Sequence, residues 1–295
     1  MEFYNVNLQI SESQDYSKWN KLFKENRKIL TAPSSPQIKN KENPQVFISF
    51  TTCKRLNLFK ETINSILNHW DFDKIDYWFC VDDNSSIDDR IIMSQNYPWF
   101  DYVFKTSREK GHRKSMNIIW DKLNELKPKY WIHMEDDFLF YDKMDYVSKS
   151  IEYLDNCEDN IRQVLFNRNY GETVENYHIQ GHIGSGEFVV HDHKTGSFPY
   201  INCHYWPHYS FRPSMILTET ILELGNYDSP NTFFERDYAD RWNEAGYKSA
   251  FFNKLTNYHI GKLTSERTKE NAYSMNGESQ FTDTPPTKST NFIKI

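Results

Sequence analysis

The segment Tyr130-Trp131-Ile132-His133-Met134-Glu135-Asp136-Asp137-Phe138-Leu139 decides the fold. It opens with an apolar and aromatic run typical of a buried strand, and three consecutive acids follow. In open α/β sheets, ligands bind beyond the carboxyl ends of the strands. Burying three adjacent carboxylates without a partner is costly, and a divalent cation such as Mg²⁺ or Mn²⁺ would remove that cost. The alternative, from these residues alone, is an acidic loop exposed after a strand.

Length and composition limit the possible classes of protein. The chain has 295 residues, of which 38% are hydrophobic and 26% charged, enough for a sizeable core in one or two domains. A net charge of −6 argues against nucleic acid as a partner. No apolar run reaches the roughly 18 residues of a membrane span, and no leader peptide is visible. Together with four cysteines that lack metal-ligand spacing, these features predict a cytoplasmic protein.

The order of apolar segments divides the chain into four parts. Residues 1–45 predict an arm, with a helix over residues 15–30 and a polar linker, and residues 276–295 predict a tail. Residues 46–150 alternate strand and helix, which predicts a mainly parallel sheet flanked by helices. Residues 151–275 are less regular and predict the second half of the same domain. Helices are predicted there at Ser214 to Leu224 and at Phe234 to Ala245.

Polar residues follow two further predicted strands. The strand from Val46 ends in Thr51-Thr52-Cys53-Lys54-Arg55, where hydroxyls, cations and a helix start suit a nucleotide diphosphate. The strand from Tyr77 ends in Asp82-Asp83-Asn84-Ser85-Ser86, whose acids suit hydrogen bonds from a base or a ribose. Each stretch is also compatible with an ordinary helix N-cap.

A basic stretch, Arg108-Glu109-Lys110-Gly111-His112-Arg113-Lys114, precedes a predicted helix whose apolar stripe starts at Met116. Cations at a helix start oppose the helix dipole, which favours an anionic ligand over a solvated run of charges. Gly111 permits close approach of the backbone to that ligand. Arg108, His112 and Lys114 are therefore candidates for contacts with phosphate.

In this order, the four stretches resemble the nucleotide-sugar half of GT-A glycosyltransferases, particularly the family 2-like inverting enzymes. The matching motifs are Thr-Thr-Cys-Lys-Arg, Asp-Asp-Asn-Ser-Ser, Gly-x-x-x-Ser-x-Asn and Glu-Asp-Asp, and the resemblance covers about residues 45–260. It implies a GT-A, Rossmann-like α/β fold with an irregular acceptor-side half. It also implies a UDP-sugar donor, a carbohydrate or glycoprotein acceptor, and Mn²⁺ or Mg²⁺ as cofactor.

The resemblance also implies roles for single residues. Asp137 would be the direct metal ligand, with Glu135 in the same acidic motif and His259 as an additional ligand, although a lone histidine is also compatible with a structural role. The residues that would bind the nucleotide sugar are Thr51, Thr52, Arg55, Asp82, Asp83, Arg108, His112, Lys114 and Asp136. Trp206, His208 and Arg212 would line the acceptor or donor sugar, with aromatic core filling as the alternative.

The stretch Phe233-Phe234-Glu235-Arg236-Asp237 opens the last predicted helix. It resembles the acidic stretch from which, in those enzymes, a carboxylate deprotonates the acceptor hydroxyl. Either Glu235 or Asp237 would then be the general base, and the choice stays open because Arg236 separates the two acids. An acidic first turn favoured by the helix dipole is the alternative.

Two other classes of protein remain compatible with these residues. A sugar-phosphate nucleotidyltransferase also pairs a nucleotide-binding sheet with acids and Mg²⁺, but Thr51–Arg55 lacks the glycines expected of its first loop. A non-catalytic carbohydrate-binding domain on the same scaffold would bind a glycan without metal or UDP. The acids on both sides of the expected cleft favour a hexosyl- or N-acetylhexosaminyltransferase over such a binding domain.

Overall fold

The computed structural model describes residues 31–37, 41–167, 182–191, 208–229, 234–254 and 256–262. The strands are β1 Val46–Thr52, β2 Tyr77–Asp82, β3 Asp101–Phe104, β4 Tyr130–Glu135, β5 Phe138–Phe140, β6 Ile161–Leu165, β7 His182–Ile183, β8 Phe188–His191, β9 Ser214–Leu217, β10 Lys248–Phe252 and β11 Asn257–His259. The α-helices are α1 Leu56–His69, α2 Ile87–Asn96, α3 His112–Leu126, α4 Tyr146–Asn156, α5 Thr218–Leu224 and α6 Phe234–Glu244, and Phe72–Lys74 and Ile260–Lys262 are 3₁₀ turns.

In the described residues, nine of these strands form one sheet in the order β3-β2-β1-β4-β9-β6-β10-β8-β7. Strands β3, β2, β1 and β4 are parallel to one another, and so are β6 and β10. Strand β9 runs antiparallel between β4 and β6, and β8 runs antiparallel between β10 and β7. The predicted α/β class, a mainly parallel sheet flanked by helices, is confirmed. Strands β5 and β11 form a separate antiparallel pair.

Helices cover both faces of the sheet, which explains why its strands are apolar without alternation. Every residue of β1 and β2 is buried. On one face, Phe50 of β1 packs with Phe59 of α1. On the other, Phe47 of β1 belongs to a core that includes Met116 of α3 and Trp242 of α6. Helices α3 and α6 therefore lie on the same side of the sheet.

One predicted element is wrong in part. The helix expected over Ser214 to Leu224 is a strand in its first four residues, β9, and becomes helical only at Thr218. All four strand residues are buried between β4 and β6, and pairing with both neighbours decides the conformation of an apolar run that suits either structure. The last predicted helix is confirmed as α6. The arm helix and the tail lie outside the described residues.

Parallel pairing brings three polar stretches to one edge of the sheet. Thr51 of β1 is in register with Val81 of β2 on one side and with Glu135 of β4 on the other. The residues that follow these strands therefore leave the sheet side by side. Within the described ranges, no helix combines the length and apolar character needed to cross a membrane.

Candidate active site

Asp136 anchors the loop that follows β4. Its buried carboxylate accepts hydrogen bonds from the Thr52 hydroxyl at 2.8 Å and from the Cys53 backbone N–H at 3.3 Å, and it pairs with the Arg55 guanidinium. The Asp136 carbonyl accepts from the Thr62 hydroxyl at 2.9 Å. Because Asp136 and Thr52 make these contacts within the protein, they support the site from below and do not face a ribose.

Asp137 is the acid that both Arg55 and His259 approach. Its Oδ2 accepts a hydrogen bond from Arg55 Nη1 at 2.7 Å and lies 3.1 Å from His259 Nε2. Its Oδ1 is buried and has no hydrogen-bond partner among the described residues. Burial acts to raise the pKa of Asp137, but the charges of Arg55 and His259 outweigh burial and hold that pKa below its usual range. Asp137 is therefore an ionised carboxylate with one buried oxygen still to be satisfied.

The β5–β11 pair holds His259 against Asp137. The His259 ring stacks on Phe138, with ring centroids 4.6 Å apart, and Ile260 N–H donates to the Asp137 carbonyl at 2.8 Å. His259 Nε2 lies 3.1 Å from Asp137 Oδ2, so an imidazole nitrogen and a carboxylate oxygen, both of which divalent cations accept as ligands, lie side by side.

The three predicted metal ligands are not assembled as a set. In the part of the chain that the structure describes, no three or more His, Cys, Asp or Glu side chains are grouped closely enough to hold a metal ion. Asp137 and His259 do meet, and the unsatisfied Asp137 oxygen beside an imidazole fits a divalent cation that takes its other ligands from water and substrate phosphate.

Gly261 closes the space next to Asp137. A Cβ at this position would overlap the Asp137 carboxylate, so a side chain here must displace that group. We expect Gly261→Ala to weaken Mn²⁺ binding about 10- to 100-fold, as the loss of outer-shell support to a metal ligand does. Isothermal titration with Mn²⁺ measures this, and Gly186→Ala is the control because a Cβ there makes only an ordinary contact at 3.8 Å. Wild-type affinity in Gly261→Ala would contradict the assignment.

Glu135, the last residue of β4, is affected by a charge at the start of α6. Burial raises the pKa of Glu135, the charges of Asp137 and Glu235 raise it further, and Arg55 opposes them. Glu235 must therefore lie within electrostatic range of Glu135, although the two are far apart in sequence. The backbone N–H of Phe211 donates to Glu235 Oε1 at 3.0 Å, which orients this carboxylate. Acids from both halves of the chain thus lie within electrostatic range of one another.

Asp237, the other candidate base, accepts a hydrogen bond from the Ser229 hydroxyl. A helix turns through about 200° over two residues, so the side chains of Glu235 and Asp237 leave α6 on opposite sides. Glu235 is hydrogen-bonded to Phe211, whose ring packs on His133 of β4 with ring centroids 5.6 Å apart. Of the two candidate bases, Glu235 is therefore the one that lies on the side of β4.

A buried ion pair fixes the start of α3. Lys105 Nζ lies 3.0 Å from Asp83 Oδ1, and both side chains are almost fully buried. Gly111 N–H donates to Asp83 at 2.9 Å, and Lys105 donates to the Gly111 carbonyl at 2.7 Å. Gly111 has φ +121°, a value that favours glycine. Sequence reasoning missed Lys105, a buried cation that directly follows β3.

His112 lies between the two acidic groups. Its ring packs edge-on against Phe211 at 5.6 Å and Phe234 at 5.4 Å between ring centroids. Burial lowers the pKa of His112 to about 4, against the charge of Asp83, and Asp137 also acts on this ring. His112 is therefore neutral near pH 7. Because Phe234 adjoins Glu235, the starts of α3 and α6 meet at this ring.

Other predicted donor-site residues lie at different depths. Asp82 is fully buried, its Oδ2 accepts from Arg90 Nε at 2.7 Å, and its Oδ1 has no hydrogen-bond partner among the described residues. Thr51 is buried within β1. The side chains of Arg108 and Lys114 are exposed, and Lys114 Nζ donates to the Arg108 carbonyl at 3.3 Å. Of the four, only Arg108 and Lys114 could reach a ligand from solvent without a rearrangement.

The predicted acceptor-side residues are only partly described. Trp206 lies outside the described residues. His208 is buried with φ +61°, and its ring meets that of His191 at a centroid distance of 4.8 Å. Arg212 is half-buried, and its backbone N–H donates to the Ser210 hydroxyl at 3.2 Å.

The sequence matches no protein-family model and no curated protein. Three solved structures are similar in fold. The first is the mannosyltransferase PcManGT from Pyrobaculum calidifontis in complex with GDP-Man and Mn²⁺, with 12% sequence identity and a TM-score of 0.48 over 83% of this chain and 65% of that chain. The second is S. aureus TarS, residues 1–349, with 12% identity and a TM-score of 0.45 over 74% of this chain and 60% of that chain. The third is GalNAc-T7 with UDP, GalNAc and Mn²⁺, with 11% identity and a TM-score of 0.48 over 74% of this chain and 46% of that chain. The chain spans less than two thirds of each of them. With TM-scores below 0.5, these likenesses carry no argument about activity.

Proposed function

We propose that the chain is a metal-dependent glycosyltransferase that transfers a hexosyl or N-acetylhexosaminyl group from a UDP-sugar to a hydroxyl acceptor with inversion. The observation that carries the proposal is the position of Glu235: it accepts a hydrogen bond from Phe211 N–H, and the Phe211 ring packs on His133 of β4, the strand that leads to Asp137. From this position we infer that one cleft lies between Asp137 and Glu235, which come from opposite halves of the chain. A donor bound over the strand ends would lie on the Asp137 side of this cleft. An acceptor would enter from the side of α6.

Donor binding in this proposal uses the charges at the ends of β1, β2 and β4. Arg55 supplies a guanidinium suited to phosphate oxygens, and the Asp83–Lys105 pair holds the start of α3 next to it. Mn²⁺ or Mg²⁺ would be held by Asp137 and His259. When bound, it would offset the negative charge of the departing UDP.

Glu235 is the general base in this proposal. Its place in the first turn of α6 favours the ionised carboxylate, because the helix dipole stabilises negative charge there. The acceptor oxygen attacks the anomeric carbon, the bond from that carbon to UDP breaks, and the acceptor proton passes to Glu235. A single displacement of this kind inverts the configuration at the anomeric carbon.

A donor screen tests this proposal without knowledge of the acceptor. Purified protein is incubated with UDP-hexoses and UDP-N-acetylhexosamines, and UDP release by transfer to water is measured with Mn²⁺ and with EDTA. Mn²⁺-dependent release from one class of donor is expected. Pyrophosphate release from UTP and a sugar phosphate would instead indicate a nucleotidyltransferase. Glycan binding with no UDP release under any condition would indicate a binding domain.

A further inference from the structure

Arg55 occupies the carboxylates that a bound cation would need. Its Nη1 donates to Asp137 Oδ2 at 2.7 Å, its Nη2 pairs with Asp136 Oδ1, and the side chain is only 15% exposed. His259 Nε2 lies 3.1 Å from the same Asp137 oxygen. Two nitrogen groups therefore converge on one carboxylate oxygen, while Asp137 Oδ1 has no hydrogen-bond partner among the described residues.

This arrangement conflicts with a divalent cation held by Asp137 and His259. As a metal ligand, His259 would present the lone pair of Nε2 to the cation, so this nitrogen could no longer donate to Asp137. The Arg55 guanidinium cannot lose its charge by deprotonation. At close range in a largely buried site, it would strongly repel the cation. A cation held at Asp137 Oδ1 would therefore favour movement of Arg55 away from Asp137 Oδ2.

Arg55 could break its contact with Asp137 and remain in the site through its contact with Asp136. Asp136 is held independently by Thr52 and Cys53, and it contacts the other terminal nitrogen of the guanidinium. In addition, Arg55 Nε is buried and has no hydrogen-bond partner among the described residues. A guanidinium offers five donors in a planar fork that suits phosphate. An Arg55 turned about its contact with Asp136 could offer Nη1 to an anionic oxygen.

We propose that Arg55 is displaced by the metal and then binds the donor. Without metal, the guanidinium neutralises Asp137, and cation binding transfers Nη1 from Asp137 to a diphosphate oxygen of the nucleotide sugar. This inference rests on the proposed function. Its consequence is that metal and donor bind cooperatively, because the cation releases the group that the diphosphate requires.

The test is the Mn²⁺ affinity of the full chain, measured by electron paramagnetic resonance with and without UDP. Without UDP, Arg55→Gln should bind Mn²⁺ at least about fivefold more tightly than wild type, the lower end of usual coupling between sites. It should also lose most of the increase in Mn²⁺ affinity that UDP causes in wild type. Arg55→Lys keeps the charge but not the fork, so its Mn²⁺ affinity should stay near wild type while the UDP effect decreases.

Arg90→Gln is the matched control, because it removes an arginine–carboxylate pair, to Asp82 at 2.7 Å, from the neighbouring strand end. Its Mn²⁺ affinity should be unchanged, and equal tightening in this variant would overturn the inference. The inference would also be overturned if Arg55→Gln bound Mn²⁺ with the same affinity as wild type or more weakly. In that case, Mn²⁺ binding by wild type in the presence of UDP would leave the proposed function intact. No Mn²⁺ binding by any variant would overturn both. If Arg55→Gln does not fold, an undiminished UDP effect in Arg55→Lys overturns the inference.

Discussion

Asp137→Asn is expected to abolish both sugar transfer and metal-dependent UDP binding. The asparagine oxygen can still accept from Arg55, but the side chain is neutral and no longer offers a carboxylate to a cation. Loss of the outer-shell partners of a metal costs about 10- to 100-fold, so loss of the ligand itself should lower kcat/KM by more than about 100-fold. UDP release from the donor found in the screen, and Mn²⁺ titration in the presence of UDP, are the two measurements.

Asp142→Asn is the matched control for Asp137→Asn. Asp142 is also an almost fully buried carboxylate in an ion pair, with Lys254, but it lies beyond β5 and outside the proposed cleft. Its replacement should affect thermal stability while leaving Mn²⁺ and UDP affinity unchanged. Full activity of a folded Asp137→Asn protein would refute the metal assignment.

Patterns over short segments were sufficient to predict the parallel half of the fold. Strands β1, β2 and β4 are apolar runs that end in polar clusters, and each of the helices α1 and α3 carries an apolar stripe at helical spacing. Because parallel neighbours end at the same edge, the order of these segments also predicts that Thr51–Arg55 and Glu135–Asp137 lie together. The register of Thr51 with Glu135 agrees with this prediction.

The exact use of each acid could not be predicted, since it depends on contacts between distant residues. Asp136 takes its partner Thr52 from 84 positions away, and this contact distinguishes Asp136 from the neighbouring acid, which lies against Arg55 and His259. Nothing in the local sequence distinguishes Asp136 from Asp137. The same reason applies to Gly261, whose lack of a side chain matters only because the β5–β11 pair brings it against Asp137.

The prediction for the residues of β9 was wrong for a different reason, namely that their local pattern is ambiguous. Met215, Ile216 and Leu217 suit a helix stripe or a buried strand equally well, and they are followed by residues that do form a helix. Antiparallel pairing with β4 and β6 satisfies their backbone hydrogen bonds in the middle of the sheet. An insertion of this kind depends on the strand order, which periodicity along the chain does not encode.

Glu235→Gln is expected to stop turnover while preserving donor binding. The glutamine side-chain oxygen can still accept from the backbone N–H of Phe211, so the start of α6 should keep its conformation. The amide cannot take a proton from the acceptor, and loss of a general base costs about 10²- to 10⁴-fold in kcat. Transfer kinetics with a saturating acceptor measure this loss, and the Kd for UDP with Mn²⁺ should equal that of wild type.

Asp237→Asn separates the two candidate bases, because Asp237 leaves α6 on the opposite side and is bonded to Ser229. It should retain most of the turnover, and full activity of Glu235→Gln together with an inactive Asp237→Asn would move the base to Asp237.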